Sequence, residues 1–173
     1  MQPLGVRYAV PVDLAAVHAV THSAYRHYIA RIGARPAPMD ADYPHLMRRG
    51  CLFVVGNPAI ATITLVPEDG WLALDNVAVA PDRQGRGIGR RLLAFAEEHA
   101  RQLWLTELRL QTHSMMWENQ RMYTAAGYSE YLRTELAPDR ELIHYRKMIG
   151  GPDFSGLTFM PTAAEAVALA GAR

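Results

Sequence analysis

A chain of 173 residues, half of them hydrophobic, is long enough for one domain with a full core and short for two. Its net charge of +1 argues against a general nucleic-acid binder, although a local basic patch is compatible with it. No apolar run reaches membrane-spanning length, no signal-peptide apolar stretch opens the chain, and the lone Cys51 cannot form an internal disulfide. The expectation is a cytoplasmic protein.

In chain order, residues 6–10 alternate and read as a first strand. Pro11 and Asp13 suit a helix start. Leu14, Val17, Thr21, Tyr25, Ile29 and Ile32 then recur at helical spacing, and Gly33 fits the C-terminus. Pro36 and Pro38 make residues 34–39 irregular. Residues 40–49 read as a short second helix ended by Gly50. Residues 51–55 and 59–66 read as a β-hairpin around Gly56-Asn57-Pro58, with Cys51 as a small buried hydrophobe rather than a nucleophile. Residues 71–80 are the next strand. An amphipathic helix follows over about 87–103, then an alternating strand at 107–112, a helix at 115–126 closed by Gly127, and two strands at 128–134 and 142–148. The order β-α-α-β-β-β-α-β-α-β-β places the chain in the α/β (α+β) class. Its unit ends near residue 149. Residues 150–173 form an extension of unassigned role, with a short helix expected at 162–169.

The residues that carry chemistry centre on the stretch 77–89. Val77-Ala78-Val79 is an apolar strand end, Pro81 stops the ladder, and Gly85, Gly87 and Gly89 alternate with Arg86 and Ile88. A helix begins immediately behind them. Glycines allow a tight turn and close approach of a ligand, and the helix start offers unpaired N–H groups and positive potential. Arg83, Arg86, Arg90 and Arg91 add charge. The combination describes a phosphate site. A Walker loop is excluded because the only lysine is Lys147. A dinucleotide fingerprint counted from Gly85 would need glycine where Arg90 stands.

The segment Gln84-Gly85-Arg86-Gly87-Ile88-Gly89, behind V-A-V-A-P, resembles the acetyl-CoA motif [Q/R]-x-x-G-x-[G/A] of the GNAT N-acetyltransferases. The resemblance implies a twisted mixed sheet with helices on both faces. It also implies that Gln84–Gly89 cradle the pyrophosphate, that the pantetheine arm runs along Val77, Ala78 and Val79, and that this strand splays from residues 107–112. Asn119 and Tyr123 share a helix face, and Tyr123 opens Y-T-A-A-G-Y, similar to the family's Y-x-x-x-G-[F/Y]. By that resemblance Asn119 contacts the carrier and Tyr123 is the acid beside its sulfur.

The general base stays open among Asp75, His113, His22 and an ordered water chain. With strict alternation Asp75 shares a face with Val77 and Val79, whereas His113 has the more suitable unperturbed pKa. His22, Tyr25 and Tyr28 on the first helix are candidates to receive the substrate. The implied partners are acetyl-CoA and an amine, with no metal and no membrane, and with homodimerisation open. The implied activity is direct N-acetyl transfer. A non-catalytic acetyl-CoA-binding module and transfer of a longer acyl group are the alternatives.

Overall fold

The computed structural model describes residues 5–150. Strands β1 (Val6–Tyr8), β2 (Leu52–Gly56), β3 (Ala59–Pro67), β4 (Leu72–Val79), β5 (Glu107–His113), β6 (Ser129–Ala137) and β7 (Arg140–Met148) form one sheet in the order β1-β2-β3-β4-β5-β7-β6. Helices α1 (Leu14–Ile32), α2 (Tyr43–Arg48), α3 (Ile88–Gln102) and α4 (Trp117–Ala125) fall where the periodicity places helices. The expected element order holds throughout these residues. The helix expected at 162–169 lies outside them.

Strands β2 and β3 are apolar almost continuously because both of their faces are covered. Phe53, Ile63, Leu65, Leu72 and Leu74 pack with Leu92, Leu93 and Ala96 of α3 on one face. On the other, Val17 and Tyr43 meet Leu52 and Val54, and Tyr25, Tyr28 and Ile32 meet Ala78. This two-sided burial is the main source of stability, since each large side chain removed from water contributes roughly 1.5–3 kcal/mol.

Several boundaries differ from the sequence reading. The first strand ends at Tyr8, and Pro11–Asp13 form a 3-10 turn before α1. The segment expected to be irregular contains a 3-10 turn at Ala37–Asp40, which Pro36 and Pro38 pre-set. Helix α2 begins only at Tyr43, because the Asp42 carboxylate accepts from the His45 N–H at 2.9 Å and caps it there. Gly33 does close α1, in the left-handed region at φ 74°.

The buried Asp13 accepts two bonds from Arg7, at 2.6 and 2.8 Å, and one from the Val10 N–H at 2.9 Å. It thereby ties β1 to the start of α1. Asp13→Ala is expected to cost about 1–3 kcal/mol in denaturant unfolding, discounted from a fully buried pair because Arg7 stays partly exposed. A midpoint unchanged from wild type would remove the clamp from the stability account.

Every neighbouring pair in the sheet is antiparallel except β4 with β5. That parallel pair registers only Leu72 with Leu108 and Ala73 with Arg109. Beyond it β5 stays paired with β7 along its whole length, from Glu107 to His113, and separates from β4. The expected splay therefore exists. It opens a wedge in the middle of the sheet, toward the end where the glycine loop sits.

Candidate active site

The wedge is built from the loop upward. After β4, Pro81–Arg83 form a 3-10 turn, and Gly85 and Gly87 adopt left-handed φ angles of 73° and 76°. A residue with a Cβ pays strain there, which explains glycine at both positions. Gly89 has another reason: a Cβ would meet the Met122 sulfur at 3.1 Å, so glycine lets the start of α3 lie against α4. Gly87 is the N-cap of α3, and the unpaired N–H groups of the first turn face outward beside exposed Arg86 and Arg90. Gln84 is anchored rather than loose. Its Nε2 donates to the Val79 carbonyl oxygen at 2.9 Å and fixes the loop to the strand end.

Among the described residues, nothing accepts from the donors on the edge of β4 that faces the wedge. Ala80 donates to the Ile60 carbonyl, on the β3 side. Alternation then turns Ala78 to β3 as well and turns the N–H groups of Val77 and Val79 into the wedge. Of the three residues expected along the pantetheine arm, Val77 and Val79 thus present backbone to the wedge. Ala78 does not: its backbone serves the β3 ladder and its side chain packs against α1. An unpaired strand edge inside a sheet accepts an extended amide-containing ligand as an added strand. The donor set therefore fits a carrier with a pyrophosphate at one end and amides along its arm.

A bulge alters the reading of Asp75. Thr64 pairs with Asn76 and Leu65 with Leu74, which leaves Asp75 as the extra residue of β4. Strict alternation fails at that point. Leu72, Leu74, Val77 and Val79 all join the α3-side core, whereas Asp75 borders the pockets lined by Pro38 and Gln111. Asp75 thus faces away from Val77 and Val79, contrary to the alternation argument. Its surroundings hold its pKa above the usual carboxylate value, chiefly by desolvation, with repulsion from Glu68 adding and attraction to Arg49 opposing. Asn76 beside it is buried in a network. Tyr25 donates to Asn76 Oδ1 at 2.9 Å, Asn76 Nδ2 donates to the Tyr43 hydroxyl at 3.2 Å, and Tyr43 donates to the Pro38 carbonyl at 2.7 Å. This network pins α1 and the turn before α2 against the bulge.

Two pockets meet in the wedge. The first, about 520 Å³, runs from Gln84, Gly85 and Gly87 past Val77 and Val79 to Asn119. The second, about 430 Å³, contains Asp75, Gln111, His113, Asn119 and Tyr123. Tyr25 and Asn119 border both. Tyr123 is buried at 4% exposure, and its ring packs on Tyr128 and Tyr145. Burial raises its pKa well above that of an ordinary phenol, so it keeps its proton. His113 Nδ1 accepts from the Met115 N–H at 3.1 Å. The neutral ring then carries its proton on Nε2 and acts as a donor. Desolvation, aided by nearby Arg140, lowers its pKa and keeps it neutral.

The first-helix candidates separate. Tyr25 lies at the junction of the two pockets. Tyr28 lines only the loop-side pocket, where its hydroxyl reaches Glu118 Oε2 at 3.3 Å and its pKa is pushed up to about 12, mainly by burial. His22 is exposed and lines neither of these pockets. The buried stripe of α1 runs through Val17, Val20, Thr21, Ala24, Tyr25, Tyr28 and Ile32, and His22 falls off it. Sequence reasoning missed the clamp on α4. There Arg31 pairs with Glu118 at 2.8 Å and lies 3.8 Å over the Trp117 ring. It also missed the contribution of Leu136, Ala137, Arg140 and Leu142 to the second pocket. Neither carries a local sequence signal, since both join segments far apart in the chain.

Residues 48–130 match the family model described as the acetyltransferase (GNAT) domain. Those residues carry a GNAT acetyltransferase domain. No curated protein matches the sequence. Among solved structures, a GNAT-family protein from Desulfovibrio desulfuricans is 23% identical with a TM-score of 0.70, over 84% of this chain and 99% of that one. The PaiA N-acetyltransferase of Thermoplasma acidophilum, solved with coenzyme A, is 16% identical with a TM-score of 0.70, over 83% and 97%. The YncA protein of Salmonella typhimurium, solved with acetyl-CoA, is 17% identical with a TM-score of 0.65, over 86% and 95%. At these identities the likeness concerns the fold. Among the described residues of this GNAT domain, no helix is long and apolar enough to cross a membrane.

Proposed function

We propose that this GNAT domain transfers an acetyl group from acetyl-CoA directly to a primary amine of a small molecule or peptide. The observation that carries the reading is the meeting of the two pockets at Tyr25 and Asn119, with Tyr123 on the wall beyond. A module that only bound the carrier would need the first pocket and not the second. Acetyl-CoA, as in the Salmonella and Thermoplasma relatives solved with acetyl-CoA or coenzyme A, supplies the acyl carbon and a thiol leaving group. The loop N–H groups from Gln84 to Gly89 hold the pyrophosphate, with Arg86 adding charge. The Val77 and Val79 N–H groups order the arm, and the Val79 donor supports the thioester carbonyl oxygen as negative charge develops. Asn119 fixes the arm at the junction.

The amine nitrogen attacks the carbonyl carbon, a C–N bond forms, and the C–S bond breaks. Tyr123 donates a hydrogen bond to the departing sulfur. Asp75 takes the amine proton through a water and passes it to solvent. Asp75 is chosen over His113 because the accepting nitrogen of His113 is already occupied by Met115. Cys51 stays outside the chemistry: it is buried, and burial raises its thiol pKa. An acetyl-CoA consumption screen against amines, peptides and polyamines tests the reading, and no consumption with any acceptor class would count against it.

Asp75→Asn is expected to lower kcat/KM at neutral pH by about 10²-fold, the lower end for general bases. Activity should recover partly as pH rises, because solution then supplies neutral amine. His113→Ala is expected to keep the wild-type profile. The stability of Asp75→Asn separates chemistry from misfolding. A folded pKa above the unfolded value means that stability falls as pH rises from the unfolded value through the folded one, so the ionised carboxylate is a cost at pH 7. The neutral variant should melt no lower than wild type. A flat pH–rate difference between Asp75→Asn and wild type would take the base role from Asp75.

A further inference from the structure

The second pocket has one chemical feature that acetyl transfer alone does not require. Arg140, the first residue of β7, lines it together with His113. The arginines around it are committed: Arg35 to Asp40 at 2.8 Å, Arg31 to Glu118 at 2.8 Å, and Arg109 to Glu107 at 2.9 Å. Arg140 pairs with no carboxylate among the described residues. Its guanidinium lies over Gly33, where a Cβ would come within 2.9 Å of Nη2. Glycine at the end of α1 thus serves the left-handed turn and also leaves room for this side chain.

His113 lines the same space as a neutral ring with its proton on Nε2, for the tautomer reason given above. Its pKa is lowered partly by Arg140, which places the arginine charge close to the ring. The wall between is apolar, with Ile32, Pro36, Met116, Leu136 and Leu142. The one carboxylate among the described residues that line the pocket, Asp75, borders the neighbouring pocket as well, which neither Arg140 nor His113 does. The pocket therefore has a cationic, donor-rich part and an anionic part, joined by apolar surface.

Resting on the acetyltransferase reading, we propose that the acceptor is a small amino-carboxylate, its carboxylate held by Arg140 and His113 and its amine directed to Asp75 and the Tyr123 junction. A planar guanidinium binds a carboxylate through two parallel N–H···O bonds, and the His113 Nε2–H adds a third donor. The apolar wall suits an aliphatic side chain. The reaction forms an amide N–C bond at the amine and leaves the carboxylate unchanged. Arg140 and His113 are specificity-determining residues in this scheme, and His113 takes no proton.

The test is acetyl-CoA consumption with matched triplets: free apolar L-amino acids, their amides, and the decarboxylated amines. Binding of coenzyme A is followed in parallel by thermal shift. For at least one triplet the acid is expected to exceed its amide in kcat/KM by about tenfold or more, the factor corresponding to about 1.4 kcal/mol. In Arg140→Gln, an exposed substitution at a hairpin end, the acid-to-amide ratio should fall toward one through a higher KM for the acid. His113→Gln should retain part of the preference, because its amide still donates, and His113→Leu should lose it. Amides or amines that match or exceed the acids, acids that all go unused, or a preference that survives Arg140→Gln would each overturn the inference. Turnover of amides with a normal coenzyme A shift would leave the acetyltransferase reading standing. Loss of the shift itself would instead remove that reading.

Discussion

Tyr123→Phe is expected to lower kcat by about 10²- to 10⁴-fold while coenzyme A binding stays near wild type. The hydroxyl contributes only as negative charge grows on sulfur, so its loss belongs to the transition state and appears in kcat. The ring, by contrast, does structural work, packing on Tyr128 and Tyr145 with centroids 5.9 and 6.1 Å away. Phenylalanine preserves that packing, so the melting temperature should change little. Burial keeps the phenol protonated, hence no loss of activity from its ionisation should appear below about pH 10. Pre-steady-state measurement of the transfer step is the decisive readout, because slow product release would mask the effect in kcat. An unchanged transfer rate would remove Tyr123 from the chemistry and leave it a core residue.

The legibility of this site followed the range of the interactions that build it. The cradle of Gln84–Gly89 is local: one strand end, three glycines and a helix start lie in consecutive residues, and each glycine's reason is written in its own backbone or nearest neighbour. Helix geometry alone puts Asn119 and Tyr123 on one face, whereas their roles were expected only from the family resemblance. The splay was expected only from the family resemblance. Nothing in V-A-V or in L-R-L-Q-T says where pairing stops, because that depends on β7 claiming β5 along its whole length.

The bulge at Asp75 shows the limit most plainly. The sequence L-A-L-D-N-V-A-V permits unbroken alternation, and only the register against β3 shows that one residue is extra. That single residue reverses the side to which the carboxylate points. His22 lies off the pockets for a different reason. Spacings of three and four residues define a stripe only after its centre is known, and Val17, Thr21, Tyr25 and Tyr28 centre it away from His22. Arg140 is still less legible, since a hairpin-end arginine reads as solvated until the fold lays it across the end of α1.

Gly87→Glu should abolish the stabilisation that coenzyme A gives to the wild-type protein. At a hundred times its dissociation constant a ligand raises stability by about 2.7 kcal/mol. For a domain of this size that corresponds to roughly 5–11 °C in melting temperature. The protein itself has space for the new side chain, as no heavy atom lies within 4 Å of the position a Cβ would take. The damage comes from elsewhere. The carboxylate would sit at the N-cap of α3 and engage the N–H groups and positive potential proposed to hold a phosphate. The left-handed φ of 76° adds a backbone cost of about 1–2 kcal/mol for any residue with a Cβ. Gly87→Ala isolates that cost. It should lower the ligand-free melting temperature by a similar amount and yet retain most of the coenzyme A shift, because the N–H groups remain available. Scans of wild type and both variants, each with and without millimolar coenzyme A, give the temperatures needed. A full shift in Gly87→Glu would mean that the phosphate does not rest on this loop, and wild-type protein unmoved by coenzyme A would count against the carrier site as a whole.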